Sequence, residues 1–97
     1  MYQIIQTENF NKIFNKLIPK NLKSRIKKQI LKITKNPKIG KPLSYEFLKE
    51  LKIDKFRIYY SIYEEMVIIL LIGISDKRLQ KKTITSIKKS VKHLRDT

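Results

Sequence analysis

Residues 48 to 73 constrain the fold more than any other stretch of this 97-residue chain. In Phe56-Arg57-Ile58-Tyr59-Tyr60-Ser61-Ile62-Tyr63 the pattern repeats every second residue, the period of a strand with two unlike faces. Phe56, Ile58, Tyr60 and Ile62 share one face, and Arg57, Tyr59, Ser61 and Tyr63 share the other. Glu64-Glu65 reads as a hairpin turn, although it lacks the glycine or asparagine of a tight primed turn. Met66 to Gly73 is apolar throughout, as expected of a central strand covered for much of its length. Upstream, Leu48 to Ile53 carries Lys52 near its end, and a short turn returns the chain to Arg57. That order brings two cations together on a rigid sheet, and phosphate is the natural ligand for such a pair.

The flanking segments supply helices. Tyr2 to Gln6 reads as a short first strand, with Thr7 as an N-cap and Glu8 favourable in the first turn. Phe10, Ile13, Phe14 and Leu17 follow the i, i+3, i+4, i+7 spacing of one helical face, which Pro19 ends. A second helix starts near Lys20 or Asn21 and buries Leu22, Ile26, Ile30 and Ile33, with Leu31 widening the stripe, until Asn36-Pro37. Its outer side carries Lys23, Arg25, Lys27, Lys28, Lys32 and Lys35, read as a solvated face or as an electrostatic footprint for nucleic acid. Residues 37 to 44 read as a loop. Ser75 or Asp76 caps a last helix with Ile84, Ile87, Val91 and Leu94 inward and His93 on the surface.

The expected fold class is therefore α+β, in the order β-α-α-β-β-β-α, as a single domain over residues 1–97. The last three strands form an antiparallel meander. The helical hairpin packs on the Phe56, Ile58, Tyr60 and Ile62 face, and the opposite face is expected to stay polar and open.

Composition narrows the partners. Twenty-three basic against 8 acidic residues give a net charge of +15, which attracts polyanions. All but Arg25, Arg57, Arg78 and Arg95 are lysine, and abundant lysine, isoleucine and asparagine also fit an AT-rich genome. The apolar share of 41% fills one core, and no run reaches the roughly 18 apolar residues of a membrane span. The N-terminus lacks the pattern of a secretory signal. With no cysteine, neither disulfides nor a thiolate metal site is available, which suits the cytoplasm. No glycine-rich phosphate loop, paired carboxylates or metal-ligand cluster appears, so neither metal nor cofactor is expected.

With these residues in view, the chain resembles the RelE/ParE toxin superfamily of toxin–antitoxin systems. The resemblance is densest from Gly40-Lys41-Pro42-Leu43, through Leu48-Lys49-Glu50-Leu51-Lys52-Ile53 and Phe56-Arg57-Ile58-Tyr59-Tyr60, to Ile69-Leu70-Leu71-Ile72-Gly73. It implies a RelE-like toxin: a ribosome-dependent mRNA endonuclease that inhibits translation, with an acidic antitoxin as partner. Carried over by position, Lys52, Arg57 and Arg78, with Lys77 beside it, are the catalytic and RNA-binding cations. Many RNA-cleaving members have a tyrosine or histidine near the C-terminus, and Leu79 to Ile87 has neither. Two rivals remain, a ParE-like poison of DNA gyrase and an inactive antitoxin-binding member.

Metal-independent RNA cleavage needs an in-line 2′-hydroxyl, charge stabilisation on the phosphorane, and proton carriers. It yields a 2′,3′-cyclic phosphate and a 5′-hydroxyl. Arg57 suits the charge, since its planar fork holds two phosphate oxygens. Lys52 and Arg78 add to it. Tyr59 is the candidate proton donor or stacking platform, and Tyr63 shares its face. Glu50 shares the face of Lys52 and reads either as a base or as an ion-pair partner. Lys41, Lys27, Lys28 and Lys77 are the candidate RNA contacts.

Overall fold

A computed structural model describes residues 1–95, with side chains through Val91. Its order is β1 (Gln3–Gln6), α1 (Glu8–Leu17), α2 (Lys20–Lys35), a 3-10 turn (Pro37–Ile39), β2 (Lys41–Leu43), β3 (Tyr45–Ile53), β4 (Phe56–Tyr63), β5 (Ile68–Asp76) and α3 (Gln80–Arg95). The five strands form one sheet in the order β1-β5-β4-β3-β2. β3, β4 and β5 are the expected antiparallel meander, and β1 pairs parallel to β5.

The local signals explain the elements. The Thr7 hydroxyl accepts the Phe10 N–H at 3.1 Å and donates to the Ile72 carbonyl at 3.0 Å, so one side chain caps α1 and pins it to β5. Asn36 ends α2, and its side chain accepts the Lys38 N–H at the 3-10 turn. Leu17 and Leu31 do not join the core. They are 61% and 62% exposed; for Leu17, Pro19 turns the chain so that Ile18, at 4%, is buried instead. Lys23 is half-buried with its ammonium 5.5 Å from the Phe14 ring, while Arg25, Lys27, Lys28, Lys32 and Lys35 are exposed.

The first core lies where alternation places it. Phe10, Ile18, Leu22, Ile26 and Ile33 pack on Phe56, Ile58, Tyr60, Ile62, Ile69, Leu71 and Ile74. The Tyr60 hydroxyl donates to the Pro37 carbonyl at 2.6 Å and accepts the Gly40 N–H at 3.0 Å. A Cβ at Gly40 would stand 2.6 Å from that hydroxyl and 2.9 Å from the Lys49 Cβ, so only glycine fits. This anchoring lays residues 41–43 along β3 as an extra edge strand where a loop was expected.

The open second face is the main correction. α3 packs across it: Ile87 and Val91, with Ile84, join Leu48, Tyr59, Ile72, Leu43 and Tyr45 in a second core. A register shift between Tyr59 and Tyr60 moves β5 by one residue, so that Tyr59 opposes Gly73 while Tyr60 opposes Leu71. The extra residue, Ile72, turns into the second core. The expectations for His93 and Leu94 lie outside the described side chains.

Two substitutions test this packing. Ile69→Asp places an unpartnered charge at a fully buried site on β5 and should leave no cooperative thermal transition; a soluble variant of unchanged melting temperature would refute the strand assignment. Val67, 45% exposed in the β4–β5 turn, holds a left-handed backbone at φ 54°, costly for a β-branched side chain. Val67→Asn should therefore stabilise by about 1 kcal/mol in denaturant melts.

Candidate functional site

The β3–β4 hairpin sets the geometry. Asp54 takes a left-handed backbone, φ 56°, which aspartate tolerates better than most residues, and the turn leaves Ile53 paired with Phe56. The register then fixes two rows on the face under α3. Lys52 opposes Arg57, which opposes Ser75. One step along, Lys41 opposes Glu50, Glu50 opposes Tyr59, and Tyr59 opposes Gly73. Residues directly opposite on one face have Cβ atoms about 5 Å apart. The sheet thus gathers three cations, a carboxylate, a phenol and a hydroxyl.

Arg57 is tucked inward where an exposed guanidinium was expected. It is 9% exposed, and its Nη1 is buried with no hydrogen-bond partner. Lys52 beside it is exposed. Tyr59 is fully buried, with its hydroxyl 2.7 Å from Ser75 Oγ. Burial pushes this phenol from 10.0 up to about 12; the Ser75 hydrogen bond pulls it back, and the Glu50 carboxylate adds to the rise. A phenol in that position offers no face for a base to stack on. Glu50 is half-buried, and its Oε2 accepts the Gln80 side-chain amide at 2.9 Å, tying the first residue of α3 to β3.

The remaining candidates separate. Arg78 and Lys77 are exposed in the turn before α3, where the Asp76 carboxylate accepts the Leu79 N–H at 2.9 Å and lies 3.8 Å from the Arg78 guanidinium. Lys27 and Lys28 ride on α2, against the other face of the sheet, and are not brought to the cluster. Ser75 and Gln80 escaped the sequence reading. Strand parity continued past Gly73 would have placed Ser75 beside Arg57, whereas nothing local marks Gln80. Elsewhere, a cavity of about 590 Å³ beside the β4–β5 turn is lined by Lys38, Glu46, Phe47, Lys49, Ile62, Tyr63, Glu64, Glu65 and Met66, and no candidate site residue lies in it. Among the described residues, no group of three or more His, Cys, Asp or Glu is placed to hold a metal ion, and no helix is long and apolar enough to cross a membrane.

The chain is similar to several known proteins. Residues 4–79 match the family model for the ParE toxin of the type II toxin–antitoxin system parDE. No curated protein sequence matches the chain. The fold is similar to that of an arginine double mutant of Escherichia coli toxin RelE in the free state, with a TM-score of 0.76 at 18% identity, covering 91% of this chain and 96% of that one. It is also similar to a chain of the intact Escherichia coli RelBE toxin–antitoxin complex, with a TM-score of 0.71 at 19% identity, covering 78% and 96%. A toxin–antitoxin complex from Mycobacterium tuberculosis gives 0.66 at 20% identity, covering 78% and 98%.

The two buried phenols give a pH prediction. Tyr60, also fully buried, is likewise pushed by burial from 10.0 to about 12, with the Gly40 N–H pulling it back. Both groups hold their protons more tightly folded than unfolded. Their contribution to stability is full below pH 10 and is lost as pH rises from about 10 towards 12. Denaturant melts should show stability falling across that window, and the fall should shrink in Tyr59→Phe.

Proposed function

Because the chain belongs to the ParE toxin family of type II toxin–antitoxin systems, within the RelE/ParE superfamily, we propose that it arrests growth as a ribosome-dependent mRNA endonuclease. The supporting observation is the unpartnered Arg57 Nη1. A buried donor without an acceptor costs roughly 1–3 kcal/mol, and more when charged. A side chain kept in that state is poised for an incoming anion. Lys52, opposite it and exposed, gives the position an open cationic edge.

In this reading Arg57 holds the scissile phosphate and stabilises the phosphorane, with Lys52 and Arg78 adding charge. Glu50, oriented by Gln80, takes the 2′-hydroxyl proton, and solvent water protonates the departing 5′-oxygen to give the 5′-hydroxyl. Tyr59 keeps the floor of the site in place through Ser75. Since Nη1 is buried, the phosphate reaches it only with some local rearrangement of its surroundings. The ribosome orders the message, which suits a site with few proton carriers. The partner that silences the toxin is an acidic antitoxin, drawn to the net charge of +15. Solved complexes of similar toxins with antitoxins support that partner.

A ParE-like gyrase poison is the second reading. The coverage of Tyr59 by α3 favours it, because binding needs no proton carrier. Programmed ribosomes with mapping of mRNA ends, run beside a gyrase–DNA cleavage assay, separate the two. Cut message with free gyrase supports the nuclease. Intact message with trapped gyrase overturns it.

Arg57→Met sharpens the test. Removing the buried, unpartnered Nη1 donor should raise stability by roughly 1–3 kcal/mol, while growth inhibition in cells is lost. A variant that melts lower, or that still arrests growth, would refute the role given to Arg57.

A further inference from the structure

The solvent side of α3 carries a second cationic feature, which shares only Arg78 with the residues assigned to the Arg57 site. Arg78, Lys81, Lys82, Thr85, Ser86 and Lys89 line a trough of about 560 Å³. Ile84, Ile87 and Val91 hold the helix's other side on the sheet, so the trough has a fixed wall. Positions 78, 81, 82, 85 and 89 recur at helical spacing and form one stripe. From Lys81 to Lys89, at 1.5 Å per residue, the helical cations run over roughly 12 Å.

What lines the trough selects its ligand. All its lining side chains are cationic or hydroxylic, with no carboxylate and no aliphatic or aromatic side chain. The Thr85 hydroxyl donates inward to the Lys81 carbonyl at 3.0 Å, leaving the ammonium and guanidinium groups as the outward donors of its turn. A protein partner seeks aromatic and apolar anchors at the centre of its contact, and a lipid surface needs an apolar face. A phosphate backbone asks only for a row of cations.

We infer that the solvent side of α3 is a track for the phosphate backbone of single-stranded RNA, binding without regard to sequence beside the cluster that acts on it. This rests on the RNA-directed reading above and assigns Lys81, Lys82 and Lys89 a role separate from Arg57.

Equilibrium binding of a short labelled single-stranded RNA, read by fluorescence anisotropy across a salt series, tests it. Lys81→Gln/Lys82→Gln/Lys89→Gln should weaken binding by about tenfold or more near physiological salt, and should make the slope of log K against log salt shallower by about 2. The charge-keeping variant with arginine at all three positions should restore both. Lys12→Gln/Lys16→Gln/Lys20→Gln removes the same charge from α1 and the start of α2 and should change affinity by no more than about twofold. Equal loss in both glutamine variants would reduce the effect to overall charge and overturn the track. So would an unchanged slope in the α3 variant, or tighter binding of duplex DNA than of RNA. If the triple variant unfolds by circular dichroism, Lys89→Gln alone should still shift the slope by about 0.7. Anisotropy needs no cleavage, so ribosomes left with intact message by a chain that binds RNA through α3 would refute the nuclease and leave the track standing.

Discussion

The structure depends on β4 being buried on both faces at once. Every residue from Phe56 to Ile62 is buried, so this one strand serves as the wall between two cores. Its even positions meet α1 and α2, and Tyr59 on the other side meets α3. A strand so enclosed has no neutral place for a charged side chain. Arg57 nevertheless sits on it, on the face toward α3, between Lys52 on β3 and Ser75 on β5. The tension between packing and chemistry in this protein is concentrated in that one residue.

The polar residues around Arg57 relieve that tension only in part. Ser75 and Glu50 engage Tyr59 and Gln80, and no described hydrogen bond reaches Nη1. A hydrophobic residue of similar length would satisfy the packing and remove the orphaned donor. What the structure holds here is one buried guanidinium nitrogen without a partner, with the exposed Lys52 opposite it on β3.

Much of this was legible in the sequence, and the failure was specific. Alternation from Phe56 to Tyr63 placed the first core; the apolar run into Gly73 marked β5, which lies inside the sheet between β1 and β4, while the central strand is β4 and Met66 and Val67 lie exposed in the turn before β5. The pairing of Lys52 with Arg57 followed from the hairpin. What strand parity does not reveal is which element covers a face. Tyr59 and Ile72 were available to pack, and the α3 stripe of Ile84, Ile87 and Val91 needed a partner. The polar look of Arg57 and Ser61 concealed that match. Leu17 and Leu31 misled in the opposite way, since helical spacing counts apolar residues and does not know where a proline redirects the chain. The strand at Lys41–Leu43 depends on hydrogen bonds from Tyr60 across twenty residues of sequence, which no local pattern encodes.

The parallel pairing of β1 with β5 has a kinetic consequence. Gln3 is matched with Ile68, so β1 has no sheet neighbour until β5 has been made. Thr7, at the end of that strand, waits for Ile72. Closing so distant a contact is slow, and a nascent toxin with an unpaired N-terminal ribbon has not yet acquired its finished sheet. A cell making this chain therefore has an interval, set by topology alone, between translation of the weapon and its completion.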